Sequence, residues 1–350
     1  MKSNYKALGQ FIRQVDVRNT EGKEDNLLGV SVQKTFIPSI ANTVGTDFTK
    51  YKVVKKGQFT YIPDTSRRGD KIGIALLQDY DEGLVSNVYT VFEVIDEKQL
   101  VPEYLMLWFS RPEFDRYARF KSHGSVREVL DWDEMCKVEL PVPSYDEQVK
   151  IVESYKAISE RIAIKRQIND NLEATLEAYF IKLFIKAPVA NKVKLGDLIS
   201  FSNGKARPKA NGAIPVYGGN GILSYTDQSN AENVVLIGRV GAYCGSVYLE
   251  TASCWVSDNA IFAKSKICEQ EFFDYYLLKY LNLYNHHVGT GQQLLTQDIL
   301  NKIDVPEPPK EDIILFNEKA SGLYGTISKN VAESRLLEQA SELILSKISN

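Results

Sequence analysis

A chain of 350 residues with 44% hydrophobic, 25% charged and 11% aromatic side chains reads as an ordinary globular protein, long enough for two domains with separate cores. Its net charge of −3 argues against a surface that is basic throughout, so any grip on a polyanion has to be local. No apolar run approaches the roughly 18 residues of a membrane span, and the opening MKSNYKALGQFIRQ has no apolar signal segment, so a cytoplasmic chain without membrane contact is expected.

In chain order, the first feature is Lys50–Lys71, where Lys50, Lys52, Lys55, Lys56, Arg67, Arg68 and Lys71 outnumber Asp64 and Asp70. Such a run is either a solvated face or a polyanion contact. Around it QFTYIP, KIGIALLQ and VYTVFEVI carry the β-branched and aromatic residues of strands. One amphipathic helix is expected over EYLMLWFSRPEFDRYAR, followed by the phrase GSVREVLDWDEMCKVELPVP, Gly124 to Pro143. From Asp146 to Lys186 apolar residues recur at three- and four-residue steps through Ile151, Tyr155, Ile158, Ile162, Ile168, Leu172, Leu176, Tyr179 and Leu183. This predicts one long helix with a single seam, about 60 Å in length.

The second half repeats the plan. Lys192, Lys194, Lys205, Arg207 and Lys209 stand against Asp197; ENVVLIGRVG, GSVYLE and SCWVSDNAIFAKS read as strands; EFFDYYLLKYLN is a short helix; and GTGQQLLTQDILNKIDVPEPP echoes the earlier phrase. At an offset of 165, Gly124 meets Gly289, Leu130 meets Leu295, Asp133 meets Asp298, and Pro141 and Pro143 meet Pro306 and Pro308. The offset persists into a second long helix over Glu311–Ile348, pairing Ile151 with Phe316 and Leu172 with Leu337. Upstream, Leu8-Gly9 corresponds to Leu195-Gly196 and Ser86 to Ser257 in a drifting register. A seam that long needs a partner helix, and the copy supplies one. The expected fold is α+β: two mixed α/β globules separated by two long antiparallel helices in a pseudo-twofold repeat. Its divisions fall at 1–145, 146–186, 187–310 and 311–350.

Catalytic groups are scarce. There is no G-x-S-x-G, P-loop, H-E-x-x-H or G-x-G-x-x-G pattern. Cys136, Cys244, Cys254 and Cys268 lack C-x-x-C spacing, which speaks against a zinc site or a disulfide framework. No catalytic residue, metal or cofactor is expected on this chain. Hydrogen-bonding residues in loops are better represented. Tyr217, Asn220 and Tyr225 in IPVYGGNGILSYTD form either a flexible loop suited to a base edge or a tight hairpin with aromatic packing. Gln292 and Gln293, beside Thr290, carry amides that match adenine in the major groove. The corresponding loop holds His123, Ser125 and Arg127, where Arg127 suits guanine or phosphate. Arg239, Arg67 and Arg68 suit phosphate, and Lys55, Lys56, Lys71, Lys205, Arg207 and Lys209 complete the basic candidates.

The doubled phrase with its trailing long helix, together with LGDLISFSNGK and IPVYGGNGI, closely resembles the specificity subunit of Type I restriction-modification systems. The resemblance spans nearly the whole chain and is strongest over Leu195–Ile348. It implies two target recognition domains, each reading one half of a split DNA sequence in the duplex, with paired helices setting the spacer. It also implies two methyltransferase subunits that use S-adenosylmethionine on adenine, and restriction subunits that join for ATP- and magnesium-dependent cleavage. By the same resemblance the chain is a non-catalytic DNA-binding subunit. Its alternatives are a specificity subunit of a modification-only system and a scaffold whose globules bind something other than DNA.

Overall fold

The computed structural model describes residues 5–40, 43–65, 71–122, 128–186, 191–266, 270–289 and 291–348. Arg67, Arg68, His123, Ser125, Arg127, Cys268 and Thr290 lie outside the described residues. By contacts the chain divides into two compact units, Met1–Ile164 with Glu333–Asn350, and Lys165–Ala332. Its α-helices are α1 (Pro102–Phe109), α2 (Pro112–Lys121), α3 (Trp132–Cys136), α4 (Tyr145–Phe180), α5 (Leu195–Leu198), α6 (Glu271–Tyr280), α7 (Gln297–Asn301) and α8 (Lys310–Lys347). Each of the long helices α4 and α8 gives one half to either unit.

The first unit is built on an antiparallel sheet in the order Ile12–Val15, Thr90–Val94, Phe59–Tyr61, Ile74–Leu76. Phe59 stacks on Phe92 at 4.8 Å, and Phe109 of α1 meets both edge-on. The single helix expected over EYLMLWFSRPEFDRYAR is in fact two. Pro112 biases the residue before it toward extended backbone, and Arg111 at φ −75°, ψ 142° ends the first and starts the second.

The second unit carries a six-stranded sheet in the order Ile199–Asn203, Ala260–Ser265, Ala231–Gly238, Val247–Val256, Ile214–Gly218, Gly221–Thr226. GSVYLE and SCWV belong to one ten-residue strand. Phe180 at the end of α4, Phe184 in the π-helical turn Ile181–Ile185 that continues it, Phe273 and Tyr276 of α6, and Phe316 of α8 form one aromatic cluster with centroids 4.8–5.9 Å apart. Each such pair is worth about 0.5–1.5 kcal/mol beyond its burial, so the cluster fastens both long-helix halves to α6.

The repeat is visible in matching contacts inside each unit. Leu8 N–H donates to the Val138 carbonyl at 2.8 Å, and Leu195 N–H to the Ile303 carbonyl at 2.8 Å. These bonds extend a strand pair, Tyr5–Ala7 on Glu139–Pro141 in one unit and Lys192–Lys194 on Asp304–Pro306 in the other. The doubled phrase itself is a capped helical turn running into that strand. Asp131 accepts from Glu134 N–H to start α3, and Thr296 accepts from Ile299 N–H to start α7. A long-helix amide closes each unit. Gln148 of α4 accepts from Val101 N–H at the head of α1, and Asn317 of α8 accepts from Phe272 and Phe273 N–H at the head of α6.

Within each unit the long-helix halves run antiparallel. In the first, Arg161 pairs with Glu333, and Ile151, Val152 and Tyr155 share a core with Leu345 and Ile348. In the second, Lys165 Nζ donates to Asn330 Oδ1 at 3.1 Å, while Tyr179 stacks on Phe316 at 5.9 Å. The seam departs from the expected one at its middle. Ile168 is 42% exposed, and the three-four spacing runs from Ile162 through half-buried Lys165 and Asn169 to Leu172.

Two buried groups give measurable consequences. Asn317→Ala would leave the Phe272 and Phe273 amides unsatisfied, and at about 1–3 kcal/mol per buried donor denaturant unfolding should show a loss of roughly 2–4 kcal/mol. Asp274 of α6 is 2% exposed; burial pushes its pKa up to about 8, against a Ser265 hydrogen bond and with the Glu271 charge adding to the rise. Because the folded carboxyl holds its proton where the unfolded one has lost it, stability from this group is complete below about pH 4 and lost as pH rises through 8. Melts between pH 5 and 7 should therefore fall with a slope approaching about 1.4 kcal/mol per unit, and Asp274→Asn should flatten it.

Candidate nucleic-acid interface

Four segments of the second unit meet beyond the ends of its strands. The first is the Gly219-Asn220 turn between Ile214–Gly218 and Gly221–Thr226, where Gly221 takes φ +78°. The second is Arg239–Gly245, the third Asp258-Asn259, and the fourth is made of residues 284–289 and 291–293. Backbone hydrogen bonds join the last three, and a serine hydroxyl ties in the first. Arg239 N–H donates to the Asn259 carbonyl at 3.0 Å, Gly241 N–H to the Gln293 carbonyl at 3.0 Å, and Leu295 N–H to the Arg239 carbonyl at 2.9 Å. Ser246 Oγ donates to the Gly219 carbonyl at 2.5 Å. A Cβ on Gly238 would collide with the Tyr243 carbonyl oxygen, so this junction needs glycine.

Because the backbone supplies the joins, most side chains are left pointing outward. Asn220, Gln292 and His286 are exposed, Gln293 is half-buried, and Tyr225 is 54% exposed on an edge strand. Arg239 is half-buried, and its Nε is enclosed without a hydrogen-bond partner among the described residues. Lys205, Arg207 and Lys209 are exposed on the segment after Ile199–Asn203, and Lys205 N–H donates to the Val256 carbonyl at 2.9 Å.

Tyr217 does not belong to this set. It is only 8% exposed, packs with Val234, Leu236 and Val256, and its hydroxyl donates to Glu250 Oε2 at 2.9 Å. Burial pushes the phenol pKa upward, the Glu250 hydrogen bond and charge adding to it. Of the two readings of IPVYGGNGILSYTD, the packed hairpin holds for Tyr217, while Asn220 and Tyr225 remain accessible. Two residues that sequence reasoning passed over also face out here. Tyr243 is 51% exposed at the crest of the GRVGAYCG turn, and Asn259 is exposed beside Arg239. The glycine density around Tyr243 was the available signal.

The first unit has the same joint. Thr65 N–H donates to the Glu128 carbonyl at 2.9 Å and Leu130 N–H to the Pro63 carbonyl at 3.0 Å, matching the Gly241 and Leu295 bonds of the second unit. Arg119 adds an ion pair with Glu128 at 2.6 Å. Lys55 is exposed at the end of the strand Lys52–Lys55, Lys56 in the turn that follows it, and Lys71 is exposed. The basic run does not make one face, since Lys52 donates to the Tyr89 carbonyl at 2.8 Å and is tied inward.

Cys254 is buried with its thiol pushed up to about 12 by desolvation and the Glu250 charge. Among the described residues no group of three or more His, Cys, Asp or Glu is arranged to hold a metal ion, and no helix is long and apolar enough to cross a membrane.

Scaffold and surface are separable by mutation. Gly238→Ala should destabilise by about 1–3 kcal/mol through overpacking, whereas Tyr225→Ala should stay within about 0.5 kcal/mol, both read by chemical denaturation.

The model of the family described as Type I restriction modification DNA specificity domain matches residues 9–174 and 190–319. The HindI specificity subunit of a type I restriction enzyme from Haemophilus influenzae is 26% identical over 136 residues, covering 38% of this chain and 29% of that protein. The chain thus aligns with under a third of that relative's length. Among solved structures, the S subunit of a type I restriction-modification system from M. genitalium superposes with a TM-score of 0.69 at 15% identity, over 99% of this chain and 96% of that one. A chain from a study of assembly and conformational transition in a type I R-M system gives 0.50 at 18% identity, over 99% and 97%. At such identities the likeness is one of fold. Matched twice by the family model, over far more than half of its length, the chain belongs to the Type I restriction modification DNA specificity domain family.

Proposed function

We propose that this chain is the DNA-reading subunit of a type I restriction-modification complex, with each unit reading one half of a split target and the paired helices fixing the unread spacer. The observation that carries the reading is the joint of the second unit, where backbone bonds join three loops, the Ser246 hydroxyl ties in the Gly219 turn, and Asn220, Arg239, Tyr243, Asn259 and Gln292 are left turned outward or half-exposed. Amides suit base edges, and guanidinium and ammonium groups suit phosphates. Membership of the family supports the nucleic-acid assignment.

In this reading the contacts are made by Asn220, Tyr225, Arg239, Gln292, Gln293, Lys205, Arg207 and Lys209 in one unit, and by Lys55, Lys56 and Lys71 in the other. His123, Ser125, Arg127, Arg67, Arg68 and Thr290 are assigned by sequence alone. The chain carries no cofactor of its own. Two methyltransferase subunits bring S-adenosylmethionine and flip the target adenine into their own pockets, and restriction subunits bring ATP and magnesium.

The assembled chain and methyltransferase should retain duplex DNA in a shift assay, and retention should fall steeply with salt. Replacing Gln292 and Gln293 together by alanine should relax or change one half of the methylated sequence, and Arg127→Ala the other half, as read by mapping methylated adenines. Unchanged maps for both variants would sink the loop assignment, and absence of salt-sensitive retention would sink the function.

A further inference from the structure

The seam between α4 and α8 in the second unit is apolar except at one place. Moving from Phe316 toward the C-terminus of α8, it passes through Ala320, Leu323 and Ile327 and then reaches Asn330. Opposite, it passes from Tyr179 through Leu176 and Leu172 to Asn169 and Lys165. Asn330 Nδ2 donates to Asn169 Oδ1 at 2.9 Å, and Asn330 Oδ1 accepts from Lys165 Nζ at 3.1 Å. All three side chains are half-buried. One amide thus uses its donor and its acceptor on two residues a turn apart on the facing helix.

We infer that Asn169, Asn330 and Lys165 are the register determinant of this helix pair. An apolar heptad seam tolerates sliding by seven residues, because each apolar side chain then meets another apolar side chain. A slide of one heptad moves a helix about 10 Å along its axis. Here such a slide would set Asn330 against Leu172 or a lysine and an asparagine against apolar side chains, leaving partly buried polar groups without partners. A single polar position in a coiled seam selects one register at some cost in stability. The sequence spends two seam positions of α4 and one of α8 on polar residues at the same level, and the structure shows them bonded to one another. Resting on the reading that paired helices fix the spacer, these residues determine which spacer length is accepted.

Asn169→Leu/Asn330→Leu makes the seam apolar throughout, and Asn169→Leu alone serves as a second variant should the pair fail to fold. Lys165 meets Asn330 and Tyr179 meets Phe316, so Leu172 lies opposite Leu323 and Ala174 is offset along the axis from exposed Lys310. Nitroxides on Ala174→Cys and Lys310→Cys in the full chain, measured by pulsed electron-electron resonance, should give one narrow distance on the native seam. The Leu variants should give a second population displaced by several ångströms, with a melting temperature equal or higher. Methylation by the assembled complex should then extend to targets whose spacer is longer or shorter. A single native-like distance in both variants would overturn the register assignment. A split distribution in a chain whose native seam supports no methylation would uphold the register role and remove the DNA reading instead.

Discussion

A helix N-terminus buried without partners is untenable, and that constraint ties each unit to its long helix. The first amides of α1 and α6 have no acceptor within their own helices. Gln148 and Asn317 supply the acceptors, and each also binds carbonyls nearby: Gln148 those of Gln99 and Pro143, Asn317 that of Ile313. Each amide holds one long-helix half, that of α4 in the first unit and that of α8 in the second, and turning that half away would expose the capped amides to an apolar core. The aromatic cluster of Phe180, Phe184, Phe273, Tyr276 and Phe316 then adds packing that has a definite geometry.

From that anchoring follows the independence of scaffold and surface. The joints at Gly241–Gln293 and Thr65–Glu128 are made by backbone groups, which every residue but proline possesses. The two units therefore keep the same hydrogen-bond plan while their loops differ in residue type. Gln292 and Gln293 stand in the phrase whose other copy has Arg127 and Glu128. Changing an outward side chain leaves the joint intact, whereas Gly238 sits where any side chain meets the Tyr243 carbonyl.

The parts legible in the sequence were those governed by local chemistry or by period. Caps, prolines and the helix seam sit at a constant offset of 165, and Asp131 and Thr296 cap equivalent turns. The Leu8 and Leu195 correspondence appears as identical bonds to Val138 and Ile303. What was not legible depended on partners distant in the chain. Tyr217 is withdrawn from the surface by Glu250, 33 residues away. Lys165 and Asn169 look like surface residues until Asn330 is placed opposite them, and Ile168 then yields the seam position its side chain suggested. The break before Pro112 was legible from proline chemistry, but the continuous amphipathic pattern masked it.

In the proposed reading, charge explains why hydrogen-bonding loops and not basic runs would carry the selectivity. Part of each run is occupied within its own unit: Lys50 faces Asp47, Lys52 reaches Asp16 and the Tyr89 carbonyl, and Lys194 pairs with Asp304 at 2.6 Å. Exposed pairs of this kind stabilise little, but they reduce the positive field available to a polyanion. With a net charge of −3, this chain has a weak long-range attraction for phosphate, and nonspecific affinity scales with the phosphates neutralised. A DNA reader with little backbone grip of its own, as proposed for this chain, would discriminate best through short-range amide and guanidinium contacts, with most of the salt-dependent affinity supplied by the proposed partner subunits.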